Sequence, residues 1–335
     1  MMVFGPHFFR RTGSTSGVRR HATARAFSLG LVVAAFASST SLFQVARAAP
    51  PFYAEEGNSD LQVYSVIPSQ ADSRVRNYDQ PSYAILNPAA PKSTPLVVYM
   101  PGTAGTPSPT SVIGNFVAGL GYRALVLTYN DKPSISQVCP QDPDPNCSQR
   151  FREMRTTGEG GFVREQNSKA EAIVPRLRAA LTWLSRQYPD AGWDQYLVDG
   201  EPNWPRLVLS GLSQGAGMAA YLAHRHPVDR VVLFSSPWDT TGQDQHPAPW
   251  LFEPSQTPRD RWFAAYHERE NTARLIANAY QALNIPRDHI LIFQHDLPMQ
   301  ARRVNASNPF HAITTHDPRY APQWRAMFGD PLEGH

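Results

Sequence analysis

Ser213 lies in Gly211-Leu212-Ser213-Gln214-Gly215, with Leu207-Val208-Leu209 before it and Ala216-Gly217-Met218-Ala219-Ala220 after it. A serine hydroxyl is a weak nucleophile. Chemistry there needs a base to take its proton and a third group to orient that base. The Gly-x-Ser-x-Gly spacing answers a steric demand, because a serine projecting from a sharp strand-to-helix bend needs nearly side-chain-free neighbours. The helix N-terminus then turns N–H groups and a positive dipole toward negative charge developing beside the hydroxyl. A glycine-rich structural turn is the competing reading of five such residues. An apolar strand before and slim helical residues after favour the nucleophile.

The base must be a histidine. His311 falls in a loop after the last expected strand, where an α/β sheet of this order returns the chain to the serine. His316, five residues on, is its rival, while His224, His226, His246 and His289 read as solvated surface or capping residues. Two carboxylates compete for the third role. Glu270 ends the penultimate strand and Asp239 the strand before it, both at the carboxyl edge of the sheet. The order serine, acid, histidine holds for either; Glu270 is favoured, with Asp239 as the alternative acid. A tetrahedral intermediate also needs two N–H donors. The backbone of Gln214 is one, and Thr103 in the Gly102-Thr103 turn is the other.

These groups need a scaffold that brings distant segments to one edge. Residues 61–67 alternate like a half-buried strand, with 82–86 as a hairpin partner. The runs at 95–100, 123–129, 206–210 and 230–236 are continuously apolar, as strands buried on both faces are. Residues 261–266 and 289–293 add two more strands, and helical periodicity falls at 113–120, 168–188, 272–283 and 318–328. Strands alternating with helices predict an α/β fold, a mostly parallel central sheet flanked by helices.

The first 48 residues read as a leader. Arg10, Arg11, Arg19, Arg20 and Arg25 precede an apolar run from Phe27 to about Val45, and Ala46-Arg47-Ala48 has the small-x-small pattern of a signal-peptidase site. Polar residues within that run argue against a permanent membrane anchor, and a transit peptide is the alternative. The leader holds six arginines and no acid, so its removal turns a formal charge of +3 into about −3. A nucleic-acid partner is therefore not expected. Residues 49–335 are expected to form one domain with an insertion at about 130–165. That insertion carries the two cysteines, Cys139 and Cys147, expected as a disulfide in a secreted or periplasmic protein. It also carries Arg150, Arg152 and Arg155, read as a solvated face in preference to a site for an acidic substrate. No metal and no cofactor is expected, and oligomeric state is unreadable.

The chain resembles the α/β-hydrolase superfamily over most of residues 49–335, and is most similar to a group of secreted bacterial α/β-hydrolase-like proteins. The likeness lies in Trp204-Pro205-Arg206 leading into Gly-x-Ser-Gln-Gly-Ala-Gly, in the run from Val231 to Asp239, and in the tail from His311 to Asp317 followed by Trp324. The resemblance implies an α/β-hydrolase fold and favours His311 over His316. Leu212 stands where a histidine is often seen, and Glu270 where many members carry aspartate. The expected function is hydrolysis of a carboxylic ester, small or polymeric, through an acyl-enzyme. A peptidase or amidase on the same triad, or a non-catalytic binding protein keeping the fold, are the alternatives.

Overall fold

The computed structural model describes residues 60–140, 142–161, 166–298 and 307–331; the leader read at 1–48 lies outside them. Eight strands form the main sheet: β1 Gln62–Val66, β2 Ser82–Leu86, β3 Leu96–Met100, β4 Arg123–Val126, β5 Leu207–Leu212, β6 Arg230–Phe234, β7 Trp262–His267 and β8 Ile290–Phe293. Their order is β1-β2-β4-β3-β5-β6-β7-β8. Only β2 runs against the rest, pairing antiparallel with both β1 and β4. The other pairs are parallel, from β4 through to β8. This mostly parallel order, with one reversed strand near the start, is the α/β-hydrolase fold.

The central strands are apolar on both faces because both faces are covered. In β3, Leu96, Val98 and Met100 join one core cluster, while Val97 and Tyr99 join the other. That period of two is the pleat of a strand. The first face is covered by α2 Cys147–Thr157, α3 Ile173–Gln187, α4 Gln214–Arg225 and α5 Ala273–Ala282. The second is covered by α1 Val112–Gly119, α6 Pro309–His316 and α7 Ala321–Phe328. Local signals set the ends of these helices. Ser111 caps α1 by accepting the N–H of Gly114 at 3.2 Å, worth about 1 kcal/mol, and Gly121 at φ 102 ends it.

Two sequence expectations change here, and the insertion at 130–165 holds a one-turn helix at Ile135–Val138 as well as α2. The disulfide joins the end of the first to the start of the second, with Cys139 and Cys147 Cα atoms 5.6 Å apart. Arg152 and Arg155 do not form a solvated face, being 0% and 1% exposed. The reason is local chemistry: Asp239 meets the first guanidinium, and Asn167 with the Lys132 carbonyl meets the second. His224 is likewise not a surface residue. It is buried between the rings of Trp250 and Trp262, and burial with nearby Arg259 and Arg225 lowers its pKa to about 3.

Candidate active site

Strand β5 delivers Ser213 to the carboxyl edge of the sheet, and α4 begins at the next residue. Ser213 has φ 55 and ψ −122, a conformation that costs a non-glycine residue on the order of 1–3 kcal/mol. The flanking glycines make the bend possible. A Cβ on Gly215 would stand 2.0 Å from the Met100 carbonyl oxygen, and one on Gly211 would stand 2.5 Å from the Gly215 backbone. Strand and helix could not approach this closely with any larger residue. The sequence argument for those two positions therefore has a direct steric basis.

Helix α6 presents His311, whose Nδ1 lies 2.6 Å from Glu270 Oε2. The histidine is thus on the first turn of a helix and not in a loop, with Pro309 fitting the helix start. Glu270, three residues beyond β7, has a fully buried side chain, whereas that of His311 is 20% exposed. Its Oε1 accepts the Ser235 hydroxyl at 2.6 Å and the His267 backbone N–H at 2.8 Å. A carboxylate with three short hydrogen bonds is held in one orientation. The His311 tautomer that fits this bond carries its proton on Nδ1, which leaves the Nε2 lone pair for a second partner.

Asp239 goes elsewhere. Arg152 grips it with two bonds of 2.7 and 2.5 Å, and the Trp250 indole N–H adds a third at 2.9 Å. Gly217 on α4 makes room for that guanidinium, since a Cβ there would fall 2.2 Å from Arg152 Nη2. Of the two candidate acids, the one bonded to His311 is Glu270. The rival histidine, His316, is exposed and turns its Nδ1 to the Ala312 carbonyl at 2.8 Å.

Ser213 and His311 line one open cavity of about 450 Å3, together with Thr103, Leu212, Ile135 and Trp238. The Ser213 N–H is already bonded to the Phe234 carbonyl at 2.9 Å, so it is not a donor for a ligand there. Gln214 opens α4, and a first-turn N–H has no partner within its helix. The Gly102 turn runs against the serine, where a Cβ on Gly102 would come 3.0 Å from Ser213 Cβ. Both expected donors thus belong to residues of the same cavity wall.

Ser235 was not legible as a site residue. It follows β6 at φ 54, is fully buried, and bonds Glu270, while Thr314 Oγ1 lies 3.2 Å away and donates to the His311 carbonyl. A hydroxyl at a strand's carboxyl end was the only available signal. Hydrogen bonds to charged groups contribute about 1.5–3 kcal/mol. Ser235→Ala is accordingly expected to lower kcat by roughly 10–100-fold, read in steady-state assays with a melting curve as control. Unchanged kcat in a folded variant would contradict this role.

Among the described residues, no three His, Cys, Asp or Glu side chains converge as a metal site, and no helix is long and apolar enough to cross a membrane. No protein-family model and no curated protein matches the chain. Solved structures similar to it include a thermostable esterase from Pseudomonas putida ECU1011, 13% identical, covering 82% of this chain and 83% of that one with a TM-score of 0.43. A thermophilic esterase from Thermogutta terrifontis, in a butyrate-bound structure, is 14% identical over 82% of this chain and 96% of that one, with a TM-score of 0.41. EstE1, a thermostable carboxylesterase cloned from a metagenomic library, is 10% identical over 82% and 90%, with a TM-score of 0.43. The fold assignment rests on the strand order described above. What fold and site together define is an α/β-hydrolase-fold chain with a serine elbow, a histidine backed by a buried glutamate, and a shared cavity.

Proposed function

We propose that the protein is an exported serine hydrolase of carboxylic esters, with Ser213 as nucleophile, His311 as base and Glu270 as the acid behind it. The observation that carries this reading is the bond from His311 to the buried Glu270 carboxylate, beside a cavity shared with the strained Ser213 elbow. In the first half-reaction, Ser213 Oγ attacks the ester carbonyl while His311 Nε2 takes its proton. The backbone N–H groups of Gln214 and Thr103 hold the oxyanion. His311 then protonates the departing alcohol, leaving an acyl group on Ser213. Water repeats the sequence in reverse, with His311 again as base, and frees the carboxylic acid. Glu270 keeps the ring of His311 oriented and stabilises the imidazolium.

Charge and size point to the substrate. Asp239 reaches the cavity wall already neutralised by Arg152, so the lining favours an uncharged ester over a cationic one. A cavity of about 450 Å3 falls within the range of roughly 300–1,000 Å3 typical of small-molecule sites. Export is supported by the pattern of residues 1–48 and by the Cys139–Cys147 disulfide, since such bonds persist in oxidising compartments. Parallel assays on a p-nitrophenyl acyl ester and a peptide anilide test the reaction class. The expected result is turnover of the ester with little or none of the anilide; the reverse ranking would favour a peptidase, and failure on both would overturn the hydrolase.

A further inference from the structure

We infer that the segment from Tyr129 to Ile135 is a brace that sets the two oxyanion-binding N–H groups relative to each other, with Asp131 and the Gln214 side chain as its positioning residues. The inference deepens the hydrolase reading and rests on it. The two donors belong to different parts of the chain, the Gly102-Thr103 turn after β3 and the first residue of α4. No bond of the sheet itself fixes their spacing, because both lie beyond the strand ends.

The segment leaving β4 touches both sides. Toward the turn, the Tyr129 hydroxyl donates to the Pro101 carbonyl at 2.8 Å. The Asp131 side chain, in a residue only 5% exposed, faces the backbone N–H groups of Ala104 and Gly105. Toward the helix, Gln214 Nε2 donates to the carbonyls of Asp131 at 2.9 Å and Pro133 at 3.2 Å, while its Oε1 accepts the Ile135 N–H at 2.8 Å. Asp131 therefore lines the same small cavity as the turn residues Ala104 and Gly105, while its backbone carbonyl holds Gln214. That double contact is the feature a mere loop anchor would not need.

Two further features support a positioning role. Ala104 has φ 63, a left-handed conformation that a non-glycine residue keeps only where its surroundings hold it. Asp131 lines, with Pro101, Ala104 and Gly105 of the turn, a cavity of about 70 Å3 behind the turn. Burial raises its pKa against the opposing effects of Lys132 and the adjacent N–H groups. Oxyanion donors work because they are fixed before charge develops, and placement within about 0.5 Å decides their effect.

The test uses the full chain and its Asp131→Ala, Asp131→Asn and Gln214→Met variants. Steady-state kcat and KM are measured on p-nitrophenyl acetate, and Ki for an aryl trifluoromethyl ketone, which adds to the serine oxygen as a tetrahedral oxyanion. Melting curves establish that each variant is folded. Asp131→Ala and Gln214→Met are expected to lower kcat by roughly 10–100-fold, less than outright loss of a donor. KM should stay within about threefold, and the ketone should weaken by the same factor as kcat/KM. Asp131→Asn retains an accepting oxygen and should recover part of the lost kcat. Folded variants with unchanged kcat and Ki, or losses appearing in KM alone, would overturn the brace. Gln214→Met carries the test if Asp131→Ala does not fold. Absence of ester turnover by the wild-type protein would instead overturn the hydrolase reading, and the brace with it.

Discussion

Ser213→Ala is expected to lower kcat toward ester by about 10^6-fold, the scale seen when the nucleophile of a serine hydrolase is removed. The size of the loss follows from the arrangement around it. His311 is oriented by Glu270, and Glu270 by Ser235 and the His267 N–H; in the proposed mechanism this whole chain of bonds serves the removal of one proton from Ser213. Without the hydroxyl there is nothing for that chain to activate. The substitution removes only one oxygen at a residue whose backbone bonds, to Phe234 and Gly217, remain. Alanine still has to adopt φ near 55, and the melting temperature is therefore expected to stay close to that of the wild type. Steady-state kinetics with a melting curve separates the two effects; comparable turnover by the folded variant would contradict the assignment.

Arg152→Ala is expected to act in the opposite way, on stability before chemistry. It would leave the buried Asp239 carboxylate with the Trp250 N–H as its hydrogen-bond donor. Removing one member of a buried pair costs about 3–5 kcal/mol, which for a domain of this size lowers the melting temperature by on the order of 10 °C. The pair also fastens α2 against the carboxyl end of β6 and against Gly217, so loosening it releases the helix that the disulfide joins to the cavity wall. Replacing both partners by apolar residues, Arg152→Met with Asp239→Leu, should cost less than either single change because no lone charge is left inside. Thermal or urea melts of the three variants check this order. A melting temperature for Arg152→Ala equal to the wild type would contradict it.

The strands that carry the site were legible because their chemistry is local. Continuous apolar runs at β3, β5 and β6 need no distant partner to be recognised, and Gly211 and Gly215 announce a close approach by their type alone. The choice between Glu270 and Asp239 was legible only as a preference for Glu270. Both carboxylates end up at the sheet's carboxyl edge, and what separates them is Arg152, 87 positions from Asp239 in the chain. Helix α2 was missed for a related reason. Its sequence, Cys-Ser-Gln-Arg-Phe-Arg-Glu-Met-Arg-Thr-Thr, reads as polar, and its buried face includes two arginines whose partners come from elsewhere. His311 was placed in the right region but the wrong element, since α6 has only eight residues and too little periodicity to register. Ser235 depends on a positive φ that no residue type at that position signals.

Fluorophosphonate labelling followed by peptide mass mapping tests the central claim most directly, because the reagent reacts with a serine only where a base and an oxyanion site activate it. The account predicts one phosphonate adduct on the native protein, on Ser213, absent after heat denaturation and absent in His311→Ala. A native, folded protein with no adduct, or with the adduct on another residue, would contradict it.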